Sequence, residues 1–345
     1  LATGADASRR LSSAARRCFA RGEAQAAAGL FRRALALLDV QDSQRPRMLP
    51  ELAEVLLEVG EFAEARSLLA EAESAALHRD DRRLLASAQL IGMFVRLYSG
   101  EPGDWGAEAL RVAHEAIAPL ERAAAHGELA MAWRLIGFVH GVAGRYAQAN
   151  AATVHYMAHA RQAGNSRLVA RSGMGFAIGA LFGPEPVPEA IAQCEAIVAE
   201  TSGDRQVQCI VRCVVAQLRA MNGEFDAARR LYHHARSVLT ELGQGVIAAS
   251  AGIDLARVEL LAGDLPGAEV AVRADMAFLT QAGETYLLST MAALLARIVR
   301  DQGRDAEALE LSLAAEQAAA SDDVEAQALW RAVRAPILAR SGQLA

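Results

Sequence analysis

The sequence predicts an all-α fold, a superhelix built from paired helices, and two observations support this. Hydrophobic residues make up 53% of the 345 residues, whereas aromatic residues make up only 5%. Alanine and leucine, which have high helix propensities, dominate, and the residues that strands prefer are scarce. The second observation is an internal repeat with a period near 40 residues, marked by glycines along the whole chain.

The candidate turn glycines recur at intervals of 38 to 43 residues. Each is expected to end the first helix of a pair in a left-handed conformation, which costs other residues free energy. The units around Gly103 and Gly183 are degenerate, and local irregularity is expected there. Most have a small residue seven positions before and alanine five positions after, where paired helices would approach most closely. The glycines are Gly22, Gly60, Gly103, Gly144, Gly183, Gly223, Gly263, Gly303 and Gly342. The small residues before them are Ala15, Ala53, Gly137, Ala216, Ala256, Ala296 and Ala335. The alanines after them are Ala27, Ala65, Ala149, Ala228, Ala268 and Ala308.

One unit resembles the tetratricopeptide repeat. Its residues are Trp133-x-x-Ile136-Gly137-x-x-His140, followed by Gly144-x-Tyr146-x-x-Ala149. The resemblance implies a right-handed α-α superhelix of about eight helix pairs plus a truncated last unit. The units here exceed that family's 34 residues, so longer helices are expected. We expect a single solenoid domain over residues 1–345, and a fragment of a longer multidomain protein.

The array also resembles a narrower group of bacterial regulators. Residues 181–195 and 322–335 look like the C-terminal repeats of regulators in which a class III nucleotide cyclase domain and an AAA-type ATPase domain come first. Related arrays occur in LuxR-type and maltose-activator-type transcription regulators. The resemblance implies a regulatory module that receives a partner or inducer signal.

Several functions are disfavoured by composition. The net charge is −6 and all 35 basic residues are arginine, so nucleic acid is not an expected ligand. A phosphate-binding P-loop requires a lysine, and no strand pattern offers the paired aspartates of a cyclase. We therefore predict no enzyme, no cofactor and no metal. The four cysteines form no CxxC pair, and no apolar run reaches membrane-spanning length, which favours a reduced, cytoplasmic chain.

Several histidines, cysteines, tryptophans and aspartates are of types that bind metals, react or anchor a ligand, but we favour a structural role for each of them. His155 and His159, one helical turn apart, could share a metal, but no third ligand is evident. Cys209 and Cys213 fit buried packing, and Trp105 is a candidate exposed anchor for which burial is the preferred prediction. The other residues of this kind are expected to lie at the surface (His233 and His234), to plug the core (Trp133 and Trp330) or to begin helices (Asp80, Asp81, Asp322 and Asp323).

The predicted binding site is the inner wall of the superhelix. Positions 3, 6, 10 and 13 residues before the turn glycines should face inward, and many of them are arginine, whose planar fork suits carboxylates and phosphates. The candidate site residues are Arg134, Phe138, Gln217, Arg257, Arg297 and Arg300, with Arg9, Arg16 and Arg47 selected by the same spacing. The alternative is that arginine, as the only basic residue type, occupies these positions by default.

These observations favour a protein- or peptide-binding regulatory scaffold in a multidomain signalling protein, with an acidic segment as ligand. The alternative is a small-molecule inducer domain of a LuxR-type transcription regulator. The other domains of the parent chain are expected partners, and a membrane is not. The sequence does not decide whether the chain forms a homo-oligomer.

Overall fold

The computed structural model describes residues 2–39, 41–100, 104–201, 203–321, 323–340 and 342, and within these ranges it contains eighteen helices and no strand. The helices are α1 (Ala2–Ala20), α2 (Ala24–Ala36), α3 (Arg45–Val59), α4 (Phe62–Arg79), α5 (Arg82–Tyr98), α6 (Trp105–Arg122), α7 (His126–Val142), α8 (Tyr146–Gln162), α9 (Ser166–Phe182), α10 (Val187–Glu200), α11 (Arg205–Met221), α12 (Phe225–Glu241), α13 (Gly245–Ser250), α14 (Gly252–Ala262), α15 (Leu265–Ala282), α16 (Tyr286–Asp301), α17 (Asp305–Ala318) and α18 (Val324–Arg340).

The helices pack as consecutive pairs, which confirms the predicted fold class. Units 1 to 6 are the pairs from α1–α2 to α11–α12, unit 7 is α13 and α14 with α15, and unit 8 is α16–α17. A single residue, Ala251, separates α13 from α14, so together they act as one first helix. α18 is the first helix of unit 9. The described chain therefore holds eight helix pairs and a last unit with one helix, as predicted.

Most of the predicted turn glycines adopt the left-handed conformation. Gly22, Gly60, Gly144, Gly223, Gly263, Gly303 and Gly342 have φ between 68° and 85°. Gly183, in a unit expected to be irregular, does not adopt this conformation, since its φ is −81° and its ψ is 178°. Pro184 follows it, and a residue before proline is driven to extended backbone. Gly103 lies outside the described residues, and the left-handed glycine of that unit is Gly100, with φ of 66°.

The predicted small residues lie where paired helices meet. Most of the alanines on both sides of the turns have no exposed surface, including Ala53, Ala65, Ala216 and Ala228. A Cβ added to Gly137 would lie 3.5 Å from Ala149 O. Ala149 is half-buried, and Ala335 is exposed because no described helix follows α18 to cover it. Close approach at these positions sets the helix pairs at contact distance.

The first helices face the superhelix axis, and units far apart in sequence meet there. The turn of each early unit contacts the start of the unit five places later. A Cβ on Gly60 of unit 2 would lie 2.8 Å from Val246 Cγ2 of unit 7, and one on Gly144 of unit 4 would lie 3.7 Å from Val324 Cγ1 of unit 9. In unit 3, Tyr98 O accepts a 3.0 Å hydrogen bond from Thr285 N of unit 8. Successive turns of the superhelix are therefore stacked in contact.

Unit 1 follows the same pattern. A Cβ on Gly22 would lie 3.2 Å from Gln206 Cβ, which belongs to the start of unit 6. Gly22 O also accepts a 2.7 Å hydrogen bond from Gln244 Nε2.

No helix among the described residues is long and apolar enough to cross a membrane.

Candidate binding site on the inner wall

A group of buried charged side chains lies where the early and middle units meet across the axis. Glu58 Oε1 accepts a 2.6 Å hydrogen bond from Arg167 Nη2 and a second hydrogen bond from Arg171 Nη2. Arg171 Nη2 also donates to Gln206 Oε1 at 2.9 Å, and Arg167 Nη1 lies 3.7 Å from Asp204 Oδ2. We call Glu54, Glu58, Arg134, Arg167, Arg171 and Asp204 the inner polar cluster.

The cluster is held by the ends of first helices from four units. Glu58 lies in the last turn of α3, and Arg167 and Arg171 lie one turn apart near the start of α9. Asp204 is the N-cap of α11, where its Oδ1 accepts a 3.0 Å hydrogen bond from Val207 N. Arg167 extends to unit 1, because it stacks 3.6 Å from the Phe19 ring centre and donates to Phe19 O at 2.5 Å.

Electrostatics keep Glu58 ionised despite its burial. Glu58, Arg167 and Arg171 each expose less than a tenth of their side chains. Burial opposes the charge of Glu58, but attraction to Arg167, Arg171 and Arg134 holds its pKa below the ordinary value. Burial and the adjacent Arg171 lower the pKa of Arg167, although an arginine stays protonated at neutral pH. The cluster is a buried, charged junction in which Arg167 and Arg171 share Glu58 as an ion-pair partner.

The cluster retains unused hydrogen-bonding capacity. Five buried atoms of the cluster, and the hydroxyl of its neighbour Tyr156, have no hydrogen-bond partner among the described residues. These atoms are Glu54 Oε1, Glu58 Oε2, Tyr156 OH, Arg167 Nε, Arg171 Nε and Asp204 Oδ2. Buried polar atoms without partners carry a desolvation cost. A polar ligand that offers both donors and acceptors would relieve this cost.

Of the two predicted site residues on α7, Arg134 belongs to the cluster and Phe138 lies next to it. Arg134 Nη1 is 3.6 Å from Glu54 Oε1, and its guanidinium lies 4.6 Å from the centre of the Phe94 ring. Phe138 belongs to an aromatic group, with ring centres 5.5 Å from Phe94 and 6.1 Å from Tyr286. Phe138 therefore helps to join units 3, 4 and 8.

Two other predicted residues form a second polar group further along the inner wall. Gln217 Nε2 donates a 2.5 Å hydrogen bond to Asp254 Oδ1, and Arg257 Nη1 donates to Gln217 Oε1 at 3.4 Å. Arg257 also pairs with Glu325 of α18. Its guanidinium lies 5.7 Å from the Phe182 ring centre. These contacts join units 5, 6, 7 and 9.

The last two predicted residues lie on α16. Arg300 donates to Asp301 Oδ1 at 2.6 Å and to Ala332 O of α18 at 2.9 Å, and Arg297 is 3.8 Å from Asp301 Oδ2. The six predicted residues thus fall into three groups along the inner wall. Of the others selected by the same spacing, Arg16 pairs with Glu51 at 2.6 Å, Arg9 pairs with Asp6, and Arg47 is exposed.

The buried acid of the second group predicts a pH-dependent stability. Burial raises the pKa of Asp254 to about 7; Arg257 acts against the shift and Glu325 adds to it. A carboxyl with a raised folded pKa stabilises the fold below about pH 4, the unfolded pKa, and this stabilisation is lost as the pH rises to about 7. Asp254→Asn should therefore be more stable than the parent chain at about pH 8, by more than ~1 kcal/mol, and nearly equal at about pH 4.

The measurement is urea unfolding followed by helical circular dichroism at both pH values. Asp226→Asn on α12 is the matched control, because Asp226 exposes 85% of its side chain. A gain for Asp254→Asn that is the same at both pH values would contradict the predicted titration.

The predicted histidine pair does not form a shared site. His155 stacks on Trp133, with ring centres 4.3 Å apart, whereas His159 contacts His126, with 3.2 Å between the two Nδ1 atoms. Among the described residues no group of three or more His, Cys, Asp or Glu side chains could hold a metal ion. His233 and His234 are exposed, as predicted.

Most of the other predictions of structural roles are confirmed where the structure describes them, but the prediction for Asp80 is wrong. Cys209 and Cys213 are buried in the core between α11 and α12. Trp105 is buried and donates to Met93 O at 2.5 Å, so it is no exposed anchor. Asp81 and Asp323 cap α5 and α18, respectively. Asp80 instead ends α4 in a left-handed conformation, and Asp322 lies outside the described residues.

The outer surface carries a separate groove that the sequence did not indicate. It has a volume of about 440 Å³ and lies between α10 and α12, above α11. Val198, Val215 and Leu231 contribute its apolar surface, and its basic residues include Arg212 and Arg230. The groove belongs to the convex side and shares no residue with the inner polar cluster.

The fold and the inner wall define an α-solenoid of tetratricopeptide-like helix pairs. No family model matches the chain, and no curated protein matches it. Among solved structures, the chain is similar to a Rap protein complexed with competence and sporulation factor, at 13% identity and a TM-score of 0.55. The similarity covers 84% of this chain and 78% of that one, and it supports the solenoid fold.

Proposed function

We propose that this chain is a regulatory binding module that takes an acidic peptide or protein segment on its inner wall. The observation that carries the proposal is the inner polar cluster, in which Arg167 and Arg171 share the single carboxylate Glu58 and keep buried atoms without hydrogen bonds. A carboxylate from a ligand can occupy the same guanidinium groups, because arginine binds carboxylates through paired donors.

Ligand binding at this cluster would act on the whole superhelix. Glu58 belongs to unit 2 and its partner arginines belong to unit 5, so their contact holds two turns of the coil together. A ligand carboxylate that replaces Glu58 would change the free energy of this junction. A conformational change follows only if the ligand binds the open and closed forms with different affinity. This coupling would make the module a regulator.

The signalling setting is part of the proposal. Resemblance to the repeats of cyclase and ATPase regulators supports a role within a multidomain cytoplasmic signalling protein. The Rap protein of similar fold was solved as a complex with competence and sporulation factor, which supports ligand binding by such a solenoid. The four cysteines are all free thiols, in agreement with a reducing compartment.

The test is affinity capture with the purified chain as bait, followed by identification of bound proteins and peptides. Charge reversal in the inner polar cluster by Arg134→Glu should reduce capture at least tenfold, since an acidic ligand would then be repelled. The Arg134 side chain is 23% exposed, which limits the effect on folding.

Arg111→Glu on the outer helix α6 is the matched control, because its side chain is 56% exposed and lies away from the axis. Equal capture by the inner-wall variant and the control would contradict the proposed site. If capture fails and thermal unfolding instead responds to a small metabolite, the inducer-domain alternative replaces the proposal.

A further inference from the structure

The groove on the outer surface lies between two outer helices that no polar bond joins. Elsewhere, ion pairs link successive outer helices. Arg236 of α12 pairs with Asp275 of α15, and Arg273 of α15 pairs with Glu307 of α17. Between α10 and α12 the described residues form no hydrogen bond or ion pair. α10 is also the shorter helix, with 14 residues against 17 in α12. The space between them stays open, and we call it the outer groove.

The lining of the outer groove is positively charged. It includes three arginines, Arg212, Arg219 and Arg230, and one carboxylate, Glu195. Arg219 is paired with Glu195 at 2.9 Å and also with Glu224, outside the lining, at 2.7 Å. No carboxylate of the described residues lies within ion-pair distance of Arg212 or Arg230. The groove therefore offers two guanidinium groups to an acidic ligand.

The other acids of the three surrounding helices are paired elsewhere or lie outside the lining. α11 carries no acidic residue. On α12, Asp226 pairs with Arg229 at 3.4 Å, and Glu241 lies 3.7 Å from Arg205. The remaining acids of α10 are exposed and outside the lining, and they are Glu189 and Glu200. The positive charge of the groove is therefore not cancelled by its own walls.

The base of the outer groove is apolar. Val215 of α11 is buried at the base, and Val198 of α10 and Leu231 of α12 are half-buried on its two sides. The volume of about 440 Å³ is within the range of ligand sites, about 300 to 1,000 Å³. The groove is open to solvent, however, whereas a small-molecule site encloses most of its ligand. An amphipathic helix fits this shape better, because it places an apolar stripe in a groove and keeps its other face in water.

We propose that the outer groove binds an amphipathic acidic helix of a partner protein. Apolar side chains of that helix would contact Val198, Val215 and Leu231, and its carboxylates would pair with Arg212 and Arg230, since arginine binds carboxylates through paired donors.

The outer groove is a second binding surface, separate from the inner polar cluster. α11 contributes to both, because its N-cap Asp204 belongs to the cluster whereas Arg212 and Val215 line the groove. The module can therefore hold a ligand on its inner wall and a partner on its outer surface at the same time.

The test uses the full chain and a designed helical peptide labelled with fluorescein. The peptide has leucine at every third or fourth position and glutamates beside this stripe, and fluorescence anisotropy measures its affinity. Arg212→Glu with Arg230→Glu should weaken binding at least about tenfold, because the carboxylates are then repelled. Arg230→Glu alone should weaken binding in the same direction, and this side chain is exposed, so the fold is preserved. Added salt should weaken binding to the parent chain.

Arg161→Glu on the outer helix α8 is the matched control. Arg161 is exposed and, like Arg230, has no ion-pair partner among the described residues, so this variant should bind the peptide as the parent chain does. Two control peptides separate charge from apolar contact. One has glutamine in place of glutamate and the other has serine in place of leucine, and both should bind more weakly.

A further variant separates the outer groove from the inner wall. Arg134→Glu changes the inner polar cluster and should leave the affinity for the peptide unchanged. The proposal would be overturned by no binding to the parent chain, by equal binding of either control peptide, by an equal loss in Arg161→Glu, or by a loss in Arg134→Glu in place of the outer-groove variants. Failure here leaves the inner-wall proposal standing, because that proposal is tested by capture with Arg134→Glu.

Discussion

Glu58→Gln should lower the free energy of unfolding by about 3 to 5 kcal/mol, because it leaves Arg167 and Arg171 buried without their shared counter-charge. Both arginines donate to Glu58 Oε1, and both are almost completely buried. Glutamine has the same shape as glutamate, so the loss would report charge and not packing volume. Urea unfolding followed by helical circular dichroism measures the difference.

Glu51→Gln is the matched control for this prediction. Glu51 lies on the same helix and accepts two hydrogen bonds from Arg16, at 2.6 and 2.8 Å, but this pair is exposed to solvent. An exposed ion pair contributes about 0 to 1 kcal/mol. A loss for Glu58→Gln no larger than that of Glu51→Gln would show that the inner polar cluster does not hold the two turns together.

The repeat itself could be read from the sequence because its causes are local. A left-handed turn position selects glycine, and close helix contact selects alanine, so Gly60 with Ala53 and Ala65 marks one unit without knowledge of any other. Where a local rule competed, the regular pattern is interrupted. Pro184 forces Gly183 to extended backbone, which the glycine spacing alone could not indicate.

The stacking of units five places apart could not be predicted in this way. It depends on the small rotation between successive units, which accumulates over five units and is not encoded in any one of them. Glu58 and Arg167 are 109 residues apart, and the chain contains many arginines with similar spacing. Of Glu58 and the three arginines of the cluster, the inward steps selected only Arg134 and missed Glu58, Arg167 and Arg171. Glu58 and Arg171 lie one position from a selected step, and Arg167 lies three positions away.

The partners of the predicted arginines also depend on this long-range packing. Arg257 was selected as an inward position, and its partner Glu325 lies 68 residues away on the first helix of unit 9. A repeat pattern identifies the face of a helix, but it does not identify the side chain opposite. For this reason the sequence predicted one arginine-lined groove, whereas the structure shows three separate groups, each with its own carboxylate.

Gly60→Ala should destabilise the chain by more than Gly303→Ala, and the difference should be about 1 to 3 kcal/mol. The two glycines have nearly equal φ, 85° and 84°, so alanine has the same left-handed strain at both. Only at Gly60 does the new Cβ approach another unit, 2.8 Å from Val246 Cγ2. The additional loss therefore measures the stacking of unit 2 on unit 7, and urea unfolding of both variants gives it directly.

Val246→Ala provides the decisive comparison, because it removes the methyl groups that the new Cβ would meet. The double variant Gly60→Ala with Val246→Ala should lose less than the sum of its two single changes, since a steric conflict between two side chains is relieved when either is shortened. Gly303→Ala with Val246→Ala should instead be additive, because no atom lies within 4 Å of a Cβ at Gly303. Additivity in both pairs would mean that the turns of the superhelix are not in contact in solution.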